Sequence, residues 1–95
     1  MAQTLAQIEN SPVEALSGRW MVRIFNNDHT PVLAVIHILM VATGCSREEA
    51  EIETWEAEHY GQASVHFDGE IECRRVAGVI GKIGVQTAVC PEWEN

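Results

Sequence analysis

The chain has no apolar run of the ~18–20 residues that a membrane-spanning helix requires. The longest, residues 32–42, is broken by His37 and reads as a buried helix. Positive charge is scarce: six Lys and Arg stand against 14 Asp and Glu, a formal net charge of −8. Nucleic acid, whose phosphates need a basic patch, is therefore not an expected partner. A cationic group, such as a protonated amine, suits the balance better. The N-terminus "MAQTLAQIENSPVEALSG" lacks the basic start and continuous apolar centre of a signal peptide. A cytoplasmic location with no membrane partner is expected. Cysteine is sparse as well. Cys45, Cys73 and Cys90 are odd in number, far apart and form no CxxC pair. Neither a disulfide framework nor structural zinc is indicated, and the three read as small reduced apolar side chains.

Other absences narrow the chemistry. Gly78, Gly81 and Gly84 follow no strand, so they make no phosphate-binding loop. A cysteine nucleophile has histidine and asparagine in the chain but no local signature around it. His59 and His66 lie across a helix end and a strand, with no carboxylate motif to complete a metal site. No cofactor and no metal are expected.

What is present is one small domain with an apolar fraction of 46%. Residues 1–17 are polar, aperiodic and contain Ser-Pro, and read as a flexible N-terminal extension to a domain over 18–95. "RWMVRIF", 19–25, is a strand. Thr30-Pro31 starts a helix, with threonine as cap and proline in the first turn. That helix runs to about 43 and stops at Gly44. Its nearly all-apolar surface implies burial on more than one side. Ser46 and Glu49 have capping-box spacing for a second helix, which ends at Gly61. On it Ile52, Trp55 and His59 share one face, and Ala50, Thr54 and Ala57 share nearly the opposite one. A helix with two uncharged faces is sandwiched, or carries a site on one of them. "SVHF", 64–67, is a short strand. Asp68 caps a third helix over about 69–82, with Ile71, Val76, Val79 and Ile80 inward, and "VQTAVC" before Pro91 is the last strand. The order β-α-α-β-α-β gives an α+β sandwich: a three-stranded antiparallel sheet with three helices packed on one face.

The polar cluster "FNNDHTPV", 25–32, has a plain reading as a turn whose Asn and Asp side chains bond local backbone. His59, near a helix C-terminus, has one as a partner of the helix dipole. Together, however, "VRIFNNDHTPVLAVIHIL" resembles the ClpS family, adaptors that bring proteins with destabilising N-terminal residues to a Clp protease. Asn26, Asp28, Thr30 and Pro31 match the family's pattern of apolar strand, Asn-Asp-Asp, aromatic, Thr-Pro and apolar helix. "EHYG" looks like the family's characteristic histidine, and "DGEIECRRV" resembles the start of its third helix. The resemblance spans about 19–92, and its fold order is the one read above.

The resemblance implies recognition rather than catalysis, with no bond made or broken. A free α-ammonium has hydrogens to donate and no acceptor, and Asn26, Asp28 and His59 would supply converging acceptors. Protonation of His59 would remove one of them. Thr30, Val32, Val35 and Trp55 would line the pocket for an apolar N-terminal side chain. Glu70 and Arg75 would contact a Clp AAA+ ATPase of the ClpA or ClpC type. Val32 replaces a gating methionine, which would widen the pocket for isoleucine or valine. The second helix has one residue more than the family's usual pattern, so Thr54 is the alternative to Trp55, and Glu58 would then replace an apolar wall residue. The competing reading is a diverged interaction domain on the same fold, with an altered pocket and a different protein partner.

Overall fold

The computed structural model describes residues 18–93, and the extension expected over 1–17 lies outside them. Strand β1 is Trp20–Phe25, followed by helices α1, Val32–Thr43, and α2, Arg47–Tyr60. Strand β2, Gln62–Asp68, helix α3, Glu70–Gly81, and strand β3, Thr87–Pro91, complete the order. This is the α+β arrangement expected. The strands form one antiparallel sheet ordered β2-β1-β3. β1 is central because it pairs Phe25 with Gln62 on one side and Ile24 with Thr87 on the other. A bulge opposite Val22 and Arg23 leaves Val65 as an extra residue in β2.

The core is where α3 lies on β1 and β3, α2 lies on β2, and α1 bridges the two other helices. Val22, Ile24, Leu39, Cys73, Val76 and Ile80 are fully buried. Each large aliphatic among them contributes ~1.5–3 kcal/mol through removal from water. The uncharged stripe Ala50, Thr54 and Ala57 is the face of α2 that packs inward, while Ile52, Trp55 and His59 face out. The Ser46–Glu49 capping box is formed. Gly44 and Gly61 both end helices at positive φ, 76° and 91°, where a Cβ would be strained. No helix among the described residues is long and apolar enough to cross a membrane.

Four local expectations are corrected. Thr30 does not cap α1: Pro31 occupies the cap position, and the threonine hydroxyl donates to the Ile83 carbonyl at 3.4 Å. Asp68 does not cap α3 either, because its carboxylate accepts from the adjacent Gly69 N–H at 2.7 Å and Gly69 takes the cap position. α1 is buried on one stripe, Ile36, Leu39 and Ala42, and no described element covers Leu33 or Val41 on its outer side. Ile71 is 87% exposed. It stands two residues before Cys73, about 200° around the helix from the buried line through Cys73, Val76 and Ile80.

Replacement at the two kinds of apolar position separates them. Leu39→Ala is expected to cost about 2–5 kcal/mol in urea unfolding, whereas Ile71→Ala stays within about 0.5 kcal/mol of the parent.

Candidate functional site

The segment between β1 and α1 is organised by one side chain. The Asn27 carboxamide oxygen accepts from the N–H groups of His29 and Thr30, each at 2.7 Å. Its amide nitrogen donates to the Thr30 hydroxyl at 3.2 Å and reaches the Gly84 carbonyl at 3.5 Å. Asn27 therefore performs the turn-forming role that the polar cluster offered. It also ties the loop to the segment that follows α3. Neighbouring Asn26 and Asp28 are exposed, and their side chains have no hydrogen bond or ion pair among the described residues.

Asn26 is anchored by its backbone, whose N–H donates to the Gly61 carbonyl at 3.0 Å. That bond joins the end of β1 to the end of α2, two residues beyond His59. The His59 ring is held twice. It stacks on Trp55 with centroids 4.0 Å apart and planes at 25°, and its Nδ1 lies 2.9 Å from the Trp55 carbonyl oxygen. A carbonyl only accepts, so Nδ1 carries the proton in that bond. The neutral ring then presents Nε2 as an unspent acceptor.

Beside this junction is a cavity of about 30 Å³. The end of β1 supplies Ile24 and Phe25, the loop supplies Asn26, Asn27 and Thr30, and α1 supplies Val32 and Val35. α2 contributes Thr54, Ala57 and Glu58, and Val85 completes the lining. Of the pocket residues named from sequence, Thr30, Val32 and Val35 lie here. Trp55 does not: it is 47% exposed, on the outer face of α2, with its ring on His59 and edge-to-face with Tyr60. Thr54 stands in the lining instead. The alternation Thr54, Ala57, Glu58 is a helical face, and that spacing is the signal that picks out all three. Nothing local marks Val85.

Glu70 and Arg75 sit on α3, at the far end of the molecule. α3 begins beside Trp20 and Asp68, the end of the sheet opposite Phe25 and the cavity. Glu70 accepts from Arg74 at 2.7 Å. Arg75 pairs with Glu72 and donates to the Ala42 carbonyl at the end of α1, at 3.2 Å. The Arg75 hydrogen bond, aided by its charge, holds the Glu72 carboxyl below its ordinary range.

One titrating group on α2 lies outside the cavity. Burial, reinforced by the Glu49 and Glu56 carboxylates, raises the Glu53 pKa from 4.5 to about 7. Its Oε1 is buried without a hydrogen-bond partner among the described residues. The folded chain thus holds this proton more tightly than the unfolded chain, so Glu53 lowers stability as pH rises from 4.5 through about 7.

Glu53→Gln is accordingly expected to flatten that decline, its advantage over the parent in urea unfolding being larger at about pH 8 than at about pH 5. Asn27→Ala removes the acceptor of two backbone amides, and an unfolding loss of about 1–2 kcal/mol is expected.

Comparisons with known proteins agree with this architecture. A search of curated protein sequences finds no match. Among solved structures, Agrobacterium tumefaciens ClpS2 bound to L-phenylalaninamide superposes with a TM-score of 0.75 at 20% identity. The match covers 80% of this chain and 99% of that one, and at such identity it speaks for the fold. The family of the ATP-dependent Clp protease adaptor protein ClpS matches residues 16–82. Because that match takes in well over half of the sequence, the chain belongs to the ClpS family.

Proposed function

We propose that the chain captures proteins by a free N-terminal residue and delivers them to a Clp AAA+ ATPase of the ClpA or ClpC type. Asn26, Asp28 and His59 accept hydrogen bonds from the α-ammonium. The apolar walls, Val32 and Val35 among them, receive the side chain of that residue. Thr30 holds the loop that forms the cavity's rim, and Trp55 acts by stacking on His59 rather than by lining the cavity. Glu70 and Arg75, on α3, are the proposed contacts with the ATPase, at the opposite end of β1 from the captured residue. The proposed setting is the cytoplasm, beside a Clp protease, a reading that the family's adaptor role supports.

The observation that carries the proposal is the meeting of Asn26 with the end of α2 beside a cavity of mixed apolar and polar lining. An ammonium only donates, and the side chains of Asn26 and Asp28 in the loop and of neutral His59 at the end of α2 each keep an unspent acceptor. Phenylalaninamide, bound by the Agrobacterium relative, is itself a free amine with an apolar side chain. A charge-assisted hydrogen bond contributes ~1.5–3 kcal/mol. Glu58 and Thr54 in the lining favour a second reading, in which the same fold and amine site serve a cavity with altered preference.

Fluorescence anisotropy with peptides carrying varied N-terminal residues, each free and N-acetylated, tests the proposal. Acetylation removes the charge and two donors, and a loss of at least about tenfold is expected, as it is for Asp28→Ala. Equal affinity for free and acetylated peptides would sink the amine site.

A further inference from the structure

Helix α1, 12 residues reading VLAVIHILMVAT, contains no Asp, Glu, Lys or Arg, whereas α2 and α3 both do. A helix that is apolar all round belongs under cover on every side. α1 is nevertheless buried only along Ile36, Leu39 and Ala42. Leu33 and Val41 are 67% and 57% exposed, and His37 between them is exposed too. These three stand four residues apart, so they form one row down the outer side, about 12 Å long. Ala34, Ile38 and Met40 flank the row and are half-buried. The His37 ring has no hydrogen bond or ion pair among the described residues.

Charge narrows what can cover that row. The chain carries a net −8, and glutamates crowd α2 from Glu48 to Glu58. A basic partner is drawn to those carboxylates and finds nothing to pair with on α1. A second copy of the chain is repelled wherever acid would meet acid, and α1 is a face on which two copies meet without that cost. The row also matches itself. Set antiparallel about His37, Leu33 of one copy meets Val41 of the other, as a two-fold contact between identical surfaces requires. A neutral imidazole has one donor and one acceptor, so two His37 rings at the axis can satisfy each other. Interlocked rows of this four-residue spacing are the commonest way in which helices pack. A face of 12 residues, about 18 Å long, is at the small end of specific interfaces, below roughly 1,200 Å². Such a contact gives a weak, concentration-dependent dimer.

We infer that the outer face of α1 is the surface on which two copies of this chain pair, antiparallel about a two-fold axis at His37. Leu33 and Val41 supply the burial. The pairing is separate from amine recognition, because none of these three residues lines the cavity.

Sedimentation equilibrium of the full chain, from about 1 μM to about 1 mM, tests the pairing. The weight-average mass is expected to rise toward twice that of one chain. Leu33→Glu and Val41→Glu should each weaken association at least about tenfold. Both positions are exposed, so the urea midpoints of these variants should stay at that of the parent. Ile71→Glu, at an equally exposed apolar position on α3, should leave the mass curve unchanged. In a mixture of labelled and unlabelled copies, an isotope-filtered NOE is expected between Leu33 and Val41, which lie too far apart along one helix to give it within a chain. A mass that stays monomeric throughout overturns the inference. So does a dimer that survives Leu33→Glu and Val41→Glu, or one that Ile71→Glu abolishes. NOEs from residues 1–17 to Leu33 in a monomer would make that segment the occupant and overturn it as well.

Discussion

The Asn27 carboxamide is the interaction on which the rest of the site depends. By accepting two backbone amides at 2.7 Å and donating across to the Thr30 hydroxyl and Gly84, it closes the loop between β1 and α1. A neutral amide suits this position because it both accepts and donates, which a carboxylate does not. With the turn satisfied by one residue, the residues on either side are relieved of that duty. The side-chain acceptors of Asn26 and Asp28 stay unspent among the described residues.

The same division of labour runs through α2. Its inward stripe of Ala50, Thr54 and Ala57 fixes the helix against the sheet, and that rotation decides what each remaining residue faces. Trp55 falls on the outer side and braces His59, whose bond to the Trp55 carbonyl sets the tautomer. Glu58 falls beside Thr54 and enters the cavity lining. β1 then separates the cavity, at Phe25, from the start of α3, at Trp20. Its six residues set a span of about 20 Å. In the proposed function, a captured residue at one end leaves the other end free to meet the ATPase.

Much of the fold was legible because its signals are local. Ser46 with Glu49 marks a helix start, and Gly44 and Gly61 mark helix ends, through backbone geometry that needs no tertiary context. The cap of α1 was misread because Thr30 had a competing partner, Ile83, 53 residues away and invisible to a local rule. Ile71 was misassigned for a related reason: hydrophobicity names a residue as apolar, but the helix's rotation sets whether it is buried. Trp55 and Thr54 pose that problem most sharply. They are adjacent, about 100° apart on the helix, and both faces of α2 are free of charge at those points. Asn26, Asp28 and His59 were named through family resemblance rather than spacing, whereas the latch by Asn27 depends on a contact with Gly84 that only the folded chain supplies.

The central claim is that the loop latched by Asn27 and the end of α2 form one site for a free amine. An amide-resolved NMR titration with a free-amine peptide tests it most directly. The account predicts shifts confined to residues 26–30 and the end of α2 at 58–61, absent when the acetylated peptide is added. Shifts concentrated instead on the outer face of α2 around Ile52, or on α3, with the loop silent, would contradict it.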